Sequence, residues 1–263
     1  MLKGPRLSSF LDLGSGPKGK PAHYLLTITK ATLTAHLLLW LLVMPCIHSP
    51  DHQKHTYKLY YTDSRGRAEP IRLIFHYFHT RFDDFRMTME QVPEFKPKSP
   101  MHQFPFLEID GGKTMLCQTV SVCRYLGKSL EPDLWFGGAT KTDSAKVDMY
   151  ADAFSDVFNT AMMAKYADES IRETMMKNAE KTLHVRLSIL QDHIKNSKGD
   201  YFVGKKVHWC DLYILGVLGT LEEYDDHLLD ELSELRHYYL RMRNLPQIKE
   251  YIDGNWPATK YHD

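Results

Sequence analysis

Tyr60 and Tyr61 end an aromatic-rich run, Tyr57-Lys58-Leu59-Tyr60-Tyr61, and two arginines, Arg65 and Arg67, follow across a short polar loop. Side chains alternate along an extended strand, so the adjacent tyrosines face opposite ways and only one can point at a given site. Gln118 and Thr119 stand where a helical pattern begins. A helix N-terminus offers unpaired N–H groups and partial positive charge to an anion, and Thr119 is also a natural N-cap. The four cysteines, Cys46, Cys117, Cys123 and Cys210, form no C-x-x-C pair. That argues against a dithiol redox motif or a zinc ribbon and fits reduced, mostly buried thiols. His76 and His79 share a helical spacing, but no third ligand stands nearby, so they read as packed or solvated histidines.

The elements that must position these groups come from an ordinary composition. The 263 residues suffice for one large domain or two modest ones, and 43% hydrophobic with 25% charged residues excludes disorder as the main state. Lys plus Arg and Asp plus Glu both number 33, so the chain has no overall positive field for nucleic acid. A small anion needs only a local cluster.

Residues 1–50 differ from the rest. They carry Lys3, Arg6, Lys18, Lys20 and Lys30 against a single acid, Asp12, followed by the apolar run Leu37-Leu38-Leu39-Trp40-Leu41-Leu42-Val43. The run is shorter than the roughly 20 residues a membrane-spanning helix needs. Basic residues before a short apolar core resemble a secretory signal, yet no clear small-x-small cleavage site follows Val43. The competing reading starts the working protein at Met44. The expectation is a cytoplasmic protein lacking residues 1–43, with secretion the outcome if residues 1–50 act as a signal.

From Tyr57 the pattern is regular. A strand over 57–61 leads through a loop to a helix over 67–79, on which Ile71, Ile74, Phe75 and Phe78 recur at helical spacing. A strand over 82–88 follows, then a stretch punctuated by Pro93, Pro97 and Pro100 that reads as loop. A strand over 105–109, the turn Asp110-Gly111-Gly112 and a partner strand over 114–116 make a hairpin. A helix runs from Gln118-Thr119 to about Lys128. The order β-α-β-loop-β-β-α implies a parallel first pair with an antiparallel hairpin beside it. Beyond a linker over 131–139 everything is helical. Val147, Tyr150, Ala151, Phe154, Val157, Phe158 and Ala161 form one apolar face, and Leu183, Leu187, Leu190 and Ile194 another. Helical signals recur over 209–221, 232–242 and 246–252, with Pro246 at a helix start. The expected division is a leader over 1–56, an α/β domain over 57–130, the linker, and an all-helical domain over 140–263.

These stretches resemble the cytosolic glutathione transferases, in particular their sigma class, over residues 57–261. The resemblance rests on Tyr57-Lys58-Leu59-Tyr60-Tyr61 with Arg65-Gly66-Arg67-Ala68-Glu69, and on Pro105 before Leu107-Glu108-Ile109-Asp110-Gly111. It also rests on Gln118-Thr119 with Arg124-Tyr125-Leu126, and on Trp209-Cys210-Asp211-Leu212. It implies a thioredoxin-like β-α-β-β-β-α domain followed by a helical domain, glutathione as co-substrate, no metal, and conjugation of its thiolate to apolar electrophiles. Relatives in that class also isomerise prostaglandin endoperoxides or reduce hydroperoxides. By resemblance, Tyr61 stabilises the thiolate and Arg67 adds positive charge, while Arg65 is structural. Gln118 and Thr119 take the γ-glutamyl carboxylate. Phe104, before a cis Pro105, pairs its backbone with the cysteinyl part, with Gln103 beside it, and Lys96 meets the glycyl carboxylate. Asp156 reaches the glutathione amine of a neighbouring subunit, which makes the active unit a homodimer. Met163 and Tyr261 are candidates for walls of the second substrate's pocket.

The sequence departs from the family pattern at three places. Val92 stands where the family has a glutathione-contacting tryptophan. His102-Gln103 replaces Gly-Lys. His208, three residues before Asp211, replaces a Ser/Thr cap. The first two changes give weight to a rival reading, a non-catalytic binder of the lens-crystallin kind. A thioredoxin-type redox protein needs a cysteine near the first helix, and none lies between Cys46 and Cys117.

Overall fold

Strand β1 (Tyr57–Thr62) is one of the two inner strands of a four-stranded sheet. A computed structural model describes residues 53–130, 135–197 and 199–261; the expectations for residues 1–52 and for the start of the linker lie outside them. β1 pairs in parallel with β2 (Asp83–Met87) and antiparallel with β3 (Phe106–Ile109), which pairs antiparallel with β4 (Thr114–Cys117), giving the order β2-β1-β3-β4. The parallel pair and the hairpin are as the element order implies. Alternation along β1 separates two environments. Tyr57, Leu59 and Tyr61 pack with the main core, whereas Tyr60 joins Met87 and Phe106 in a second cluster on the opposite face. The Tyr60 ring stacks on Phe106 at 4.4 Å between centroids.

Helix α1 (Glu69–Tyr77) is shorter than the periodicity suggests, because a 3-10 turn, Gly66–Ala68, precedes it. Pro70 sits in the first turn of α1, where a missing N–H costs no intrahelical bond. The same tolerance explains why the proline-rich stretch is not plain loop. It forms the short helix α2 (Val92–Phe95) and a 3-10 turn, Lys96–Lys98, each with proline in its first turn. Helix α3 (Thr119–Ser129) follows β4. Residues 53–56, assigned above to the leader, are tied to the sheet. The Thr56 N–H donates to Asp110 Oδ1 at 3.0 Å, and the Gln53 side chain bridges the backbone N–H and C=O of Arg81.

After a 3-10 turn at Trp135–Gly137, the chain is helical: α4 (Lys141–Lys165), α5 (Glu169–Lys195), α6 (Trp209–Glu222), α7 (Ser233–Arg243) and α8 (Pro246–Asn255). Both predicted apolar faces are buried apart from Ala161, which is half-buried. α6 is buried on every side from Trp209 to Leu221, as an apolar helix at the centre of a core must be. It crosses α1 closely: a Cβ on Gly216 would lie 2.8 Å from the Pro70 ring.

Two buried polar knots fix the helices. Asp211 accepts from the His208 N–H (2.8 Å), the Tyr238 hydroxyl (2.8 Å) and the Phe202 N–H (3.4 Å). The carboxylate reaching back to the N-cap amide is thus supplied by Asp211, and the weak cap expected of His208 is supported from that side. Burial pushes the Asp211 carboxyl up to about 6 against these donors. In the second knot, Glu69 Oε1 accepts from the Tyr251 hydroxyl (2.8 Å) and the Trp256 indole (2.6 Å), and its Oε2 accepts from Arg72 (3.1 Å). Arg72 also reaches Asp84 and the Ser64 carbonyl, so one network ties α8 and the following turn to α1 and the sheet.

Candidate active site

Tyr61 and Arg67 meet where β1 gives way to the 3-10 turn. The Arg67 N–H donates to Tyr61 Oη at 3.2 Å, and the turn closes this tightly because Gly66 takes a φ of +41°. Among the described residues the Tyr61 hydroxyl donates to no acceptor. A phenol carries one donor and two lone pairs, so filling one lone pair leaves the O–H available to an incoming group. The Tyr60 hydroxyl, on the other face, donates to Glu108 at 2.9 Å, and burial raises its pKa to about 12. The two neighbouring phenols are therefore in different circumstances, one engaged in the sheet and one not.

Arg67 is held at four points. Its N–H faces Tyr61, its C=O accepts from Thr119 Oγ1 (2.9 Å), its Nη2 donates to Asn159 Oδ1 on α4 (2.9 Å), and its guanidinium lies 4.8 Å from the Phe158 ring centroid. Its positive charge extends to the buried Tyr213 of α6. Burial pushes that phenol up to about 12, while a bond to Ser155 and the charge of Arg67 pull the other way. Arg65 is built into the scaffold instead, paired with Glu223 and 4.7 Å from the Trp256 ring centroid.

Thr119 is not the N-cap. That position falls to Gln118, at φ 71° and ψ 107°, and Thr119 opens the helix with its hydroxyl turned to the Arg67 carbonyl. The exposed Gln118 and Gln103 side chains are brought together, Nε2 to Oε1 at 2.8 Å, although 15 residues separate them in sequence. The Ser99 hydroxyl donates to the Gln103 carbonyl at 2.6 Å, and the Phe104–Pro105 bond that follows is cis. His102 takes a φ of +51°, in the left-handed region where glycine is least strained, so the substitution noted there is made at a costly position. Lys96 is exposed at the start of its 3-10 turn, and Val92 packs beside the Tyr60 cluster.

Asp156 faces outward on α4, with Arg186 of α5 at 3.6 Å. Met163 is exposed four residues beyond Asn159, on the same helical side. Tyr261 is placed differently: it is buried, donates to the Asp226 carbonyl (2.6 Å) and accepts from the Leu229 N–H (3.0 Å), packing the 226–230 turn. Sequence reasoning missed Asn159 and named Phe158 only as part of an apolar face. Tyr166 and Tyr224 are exposed aromatics near the C-terminal ends of α4 and α6, and Lys165 Nζ lies 3.0 Å from the Tyr224 ring centroid. The i, i+4 step from Asn159 to Met163 was the available signal for the α4 face.

A cavity of about 920 Å³ opens elsewhere, among Lys146, Tyr150, His193 and Phe202, and neither Tyr61 nor Arg67 lines it. His76 stacks on Tyr251 at 3.9 Å, and among the described residues no cluster of His, Cys, Asp or Glu is arranged to hold a metal ion. Among the same residues no helix is long and apolar enough to cross a membrane.

Residues 155–255 match the family model described as glutathione S-transferase, C-terminal domain. The chain is 33% identical over 210 residues to glutathione S-transferase 1 of Ascaris suum, covering 78% of this chain and 98% of the relative. It is similar in structure to the glutathione S-transferase of Ascaris lumbricoides, with a TM-score of 0.66 and 34% identity over 78% of this chain and all of the other. It is also similar to prostaglandin synthase D of Nilaparvata lugens, with a TM-score of 0.70 and 29% identity over 77% of this chain and 99% of the other.

Proposed function

Because this chain belongs to the glutathione S-transferase family, we propose that Tyr61 is the group that holds glutathione as its thiolate for attack on apolar electrophiles. The observation that carries the reading is the state of the Tyr61 hydroxyl, which accepts from the Arg67 N–H and, among the described residues, has no acceptor of its own. A thiol of pKa about 8.5 is only a few per cent ionised near neutrality, and lowering it by about two units is worth roughly 2.7 kcal/mol. A phenol donating to sulfur bonds the charged form and so works in that direction. Donation from the Arg67 amide polarises the phenol and strengthens its own O–H bond to sulfur. The thiol proton leaves to solvent, and the sulfur lone pair forms the new bond to the electrophilic carbon; the displaced pair departs with the leaving group or, in a conjugated alkene, shifts from the π-bond onto the electron-withdrawing group, which is then protonated by solvent.

Glutathione itself needs groups for two carboxylates and an amine. The N-terminus of α3, with Gln118 and Thr119, suits the γ-glutamyl carboxylate. Gln103, the Phe104 backbone before cis Pro105, and Lys96 suit the remaining peptide and its glycyl carboxylate. Asp156 is the acid offered to the glutathione amine of a partner protomer, which makes the active unit a homodimer. Met163 is a wall of the second substrate's site; Tyr261, buried on the 226–230 turn, acts on that site only through packing. The division into a glutathione-binding part over 57–130 and a helical part over 140–263, and a cytoplasmic location, belong to the same reading. The similarity to prostaglandin synthase D makes endoperoxide isomerisation the second reaction to assay.

Steady-state conjugation of glutathione to a generic electrophile, wild type against Tyr61→Phe, tests the proposal. Loss of about two pKa units of thiolate stabilisation, from about 6.5 to about 8.5, corresponds to a roughly 25-fold fall in thiolate and turnover at about pH 7 and about a hundredfold below both values, with glutathione still bound. Full activity in Tyr61→Phe sinks the assignment. Glutathione binding without turnover in the wild type replaces catalysis with the non-catalytic, crystallin-like reading.

A further inference from the structure

We propose that Asn159 is a positioning residue that aims the Arg67 charge at the glutathione sulfur; this rests on the reading of Tyr61 and Arg67 above. Arg67 is exposed, and a free arginine side chain carries about 2 kcal/mol of rotamer entropy. Coulomb attraction falls with distance and is weakened further by water and salt, so an unheld guanidinium contributes little to a thiolate beside Tyr61. Asn159, half-buried on α4, removes that freedom. Its Oδ1 accepts from Arg67 Nη2 at 2.9 Å, while the adjacent Phe158 presents its ring face to the guanidinium at 4.8 Å. The backbone of Arg67 is already pinned on both sides, by Tyr61 Oη and Thr119 Oγ1. Side chain and main chain are therefore fixed together, and the phenol and the guanidinium are held in one geometry.

The residue type matters as much as the contact. A carboxylate at 159 would hold Arg67 equally well and cancel its charge. An amide oxygen holds it and leaves the full charge available to an anion. Of the acids nearby, Glu223 pairs with Arg65 and Asp156 faces Arg186 at 3.6 Å, while Asp152, exposed on α4, acts on Tyr213 in the sense opposite to Arg67. The second domain thus acts on the thiol of a substrate bound mainly by the first, without α4 having to touch the sulfur.

The test is a pH titration of thiolate absorbance for glutathione bound to the full chain, in wild type, Asn159→Leu, Arg67→Gln and the double variant, with Tyr61→Phe as control. Leucine matches asparagine in size but accepts no hydrogen bond, and a melting curve confirms folding. Asn159→Leu is expected to raise the bound thiol's pKa by about half a unit to one unit, a three- to tenfold loss of thiolate below both values. Glutathione affinity measured at low pH, where the thiol is neutral, is expected to stay unchanged. In the Arg67→Gln background the same substitution is expected to be silent, because the effect runs through Arg67. An unchanged thiol pKa in Asn159→Leu, or an equal shift in both backgrounds, overturns the proposal. If Tyr61→Phe raises the pKa while Asn159→Leu does not, the positioning role alone fails; if neither does, the underlying reading of the site fails with it.

Discussion

A Cβ placed on Gly66 would lie 2.7 Å from Tyr61 Oη, inside van der Waals contact, and Gly66 itself takes a φ of +41°. The turn that delivers the Arg67 amide to the phenol therefore depends on the absence of a side chain at 66. Gly66→Ala is expected to cost about 1–2 kcal/mol in the left-handed backbone alone and to push the phenol off its position. The measurement is urea denaturation alongside bound-thiol titration. A variant with wild-type thiol pKa shows that the phenol position does not depend on Gly66.

Tyr60 supplies the complementary experiment. Its ring stacks in the second cluster and its hydroxyl donates to Glu108, on the sheet face opposite Tyr61. Tyr60→Phe is expected to lower stability by about 1 kcal/mol through the lost hydrogen bond and to leave conjugation unchanged. A loss of turnover comparable to that of Tyr61→Phe assigns the thiolate to the wrong tyrosine.

Glu69 is 1% exposed and holds Arg72, Tyr251 and Trp256 at once. Removing its charge leaves Arg72 partly uncompensated inside the protein. Glu69→Gln is expected to cost about 3–5 kcal/mol, read from the denaturation midpoint at unchanged slope. A cost below about 1 kcal/mol shows that the network is replaceable by neutral packing.

His76 sets one pH limit. Burial pulls its pKa below the ordinary 6.5, and the opposing attraction of Glu69 and Asp84 does not overcome it. A folded histidine that resists protonation binds fewer protons than the unfolded one, so its contribution is complete above pH 6.5 and is lost as pH falls through the lowered folded value. Asp211 has the opposite sign: its raised pKa favours the folded state as pH falls below about 6. His76→Phe keeps the stack on Tyr251 and leaves Asp211 in place, so the comparison isolates His76. Melting temperatures measured downward from pH 6.5 are expected to fall less steeply in the variant than in wild type. Parallel curves remove His76 as the cause.

The strand alternation over Tyr57-Lys58-Leu59-Tyr60-Tyr61, the Asp110-Gly111-Gly112 turn and the helical periodicities were local patterns, and each had one low-energy outcome. They fixed the element order, the order of strands in the hairpin and the facing of the two tyrosines before any contact was known. The prolines misled because their cost depends on position within a turn: Pro93 and Pro97 sit where no N–H is needed, and helix and 3-10 turn form around them. Thr119 misled for a related reason. A threonine at a helix start caps in isolation, but here the Arg67 carbonyl, 52 residues earlier, takes its hydroxyl. The Gln103–Gln118 pair, the grip of Asn159 on Arg67 across 92 residues and the reach of Glu69 to Trp256 across 187 were decided by the tertiary structure alone. Local sequence sets which dihedrals and faces are cheap. Which distant polar groups then satisfy one another is set only once packing has removed water from around them.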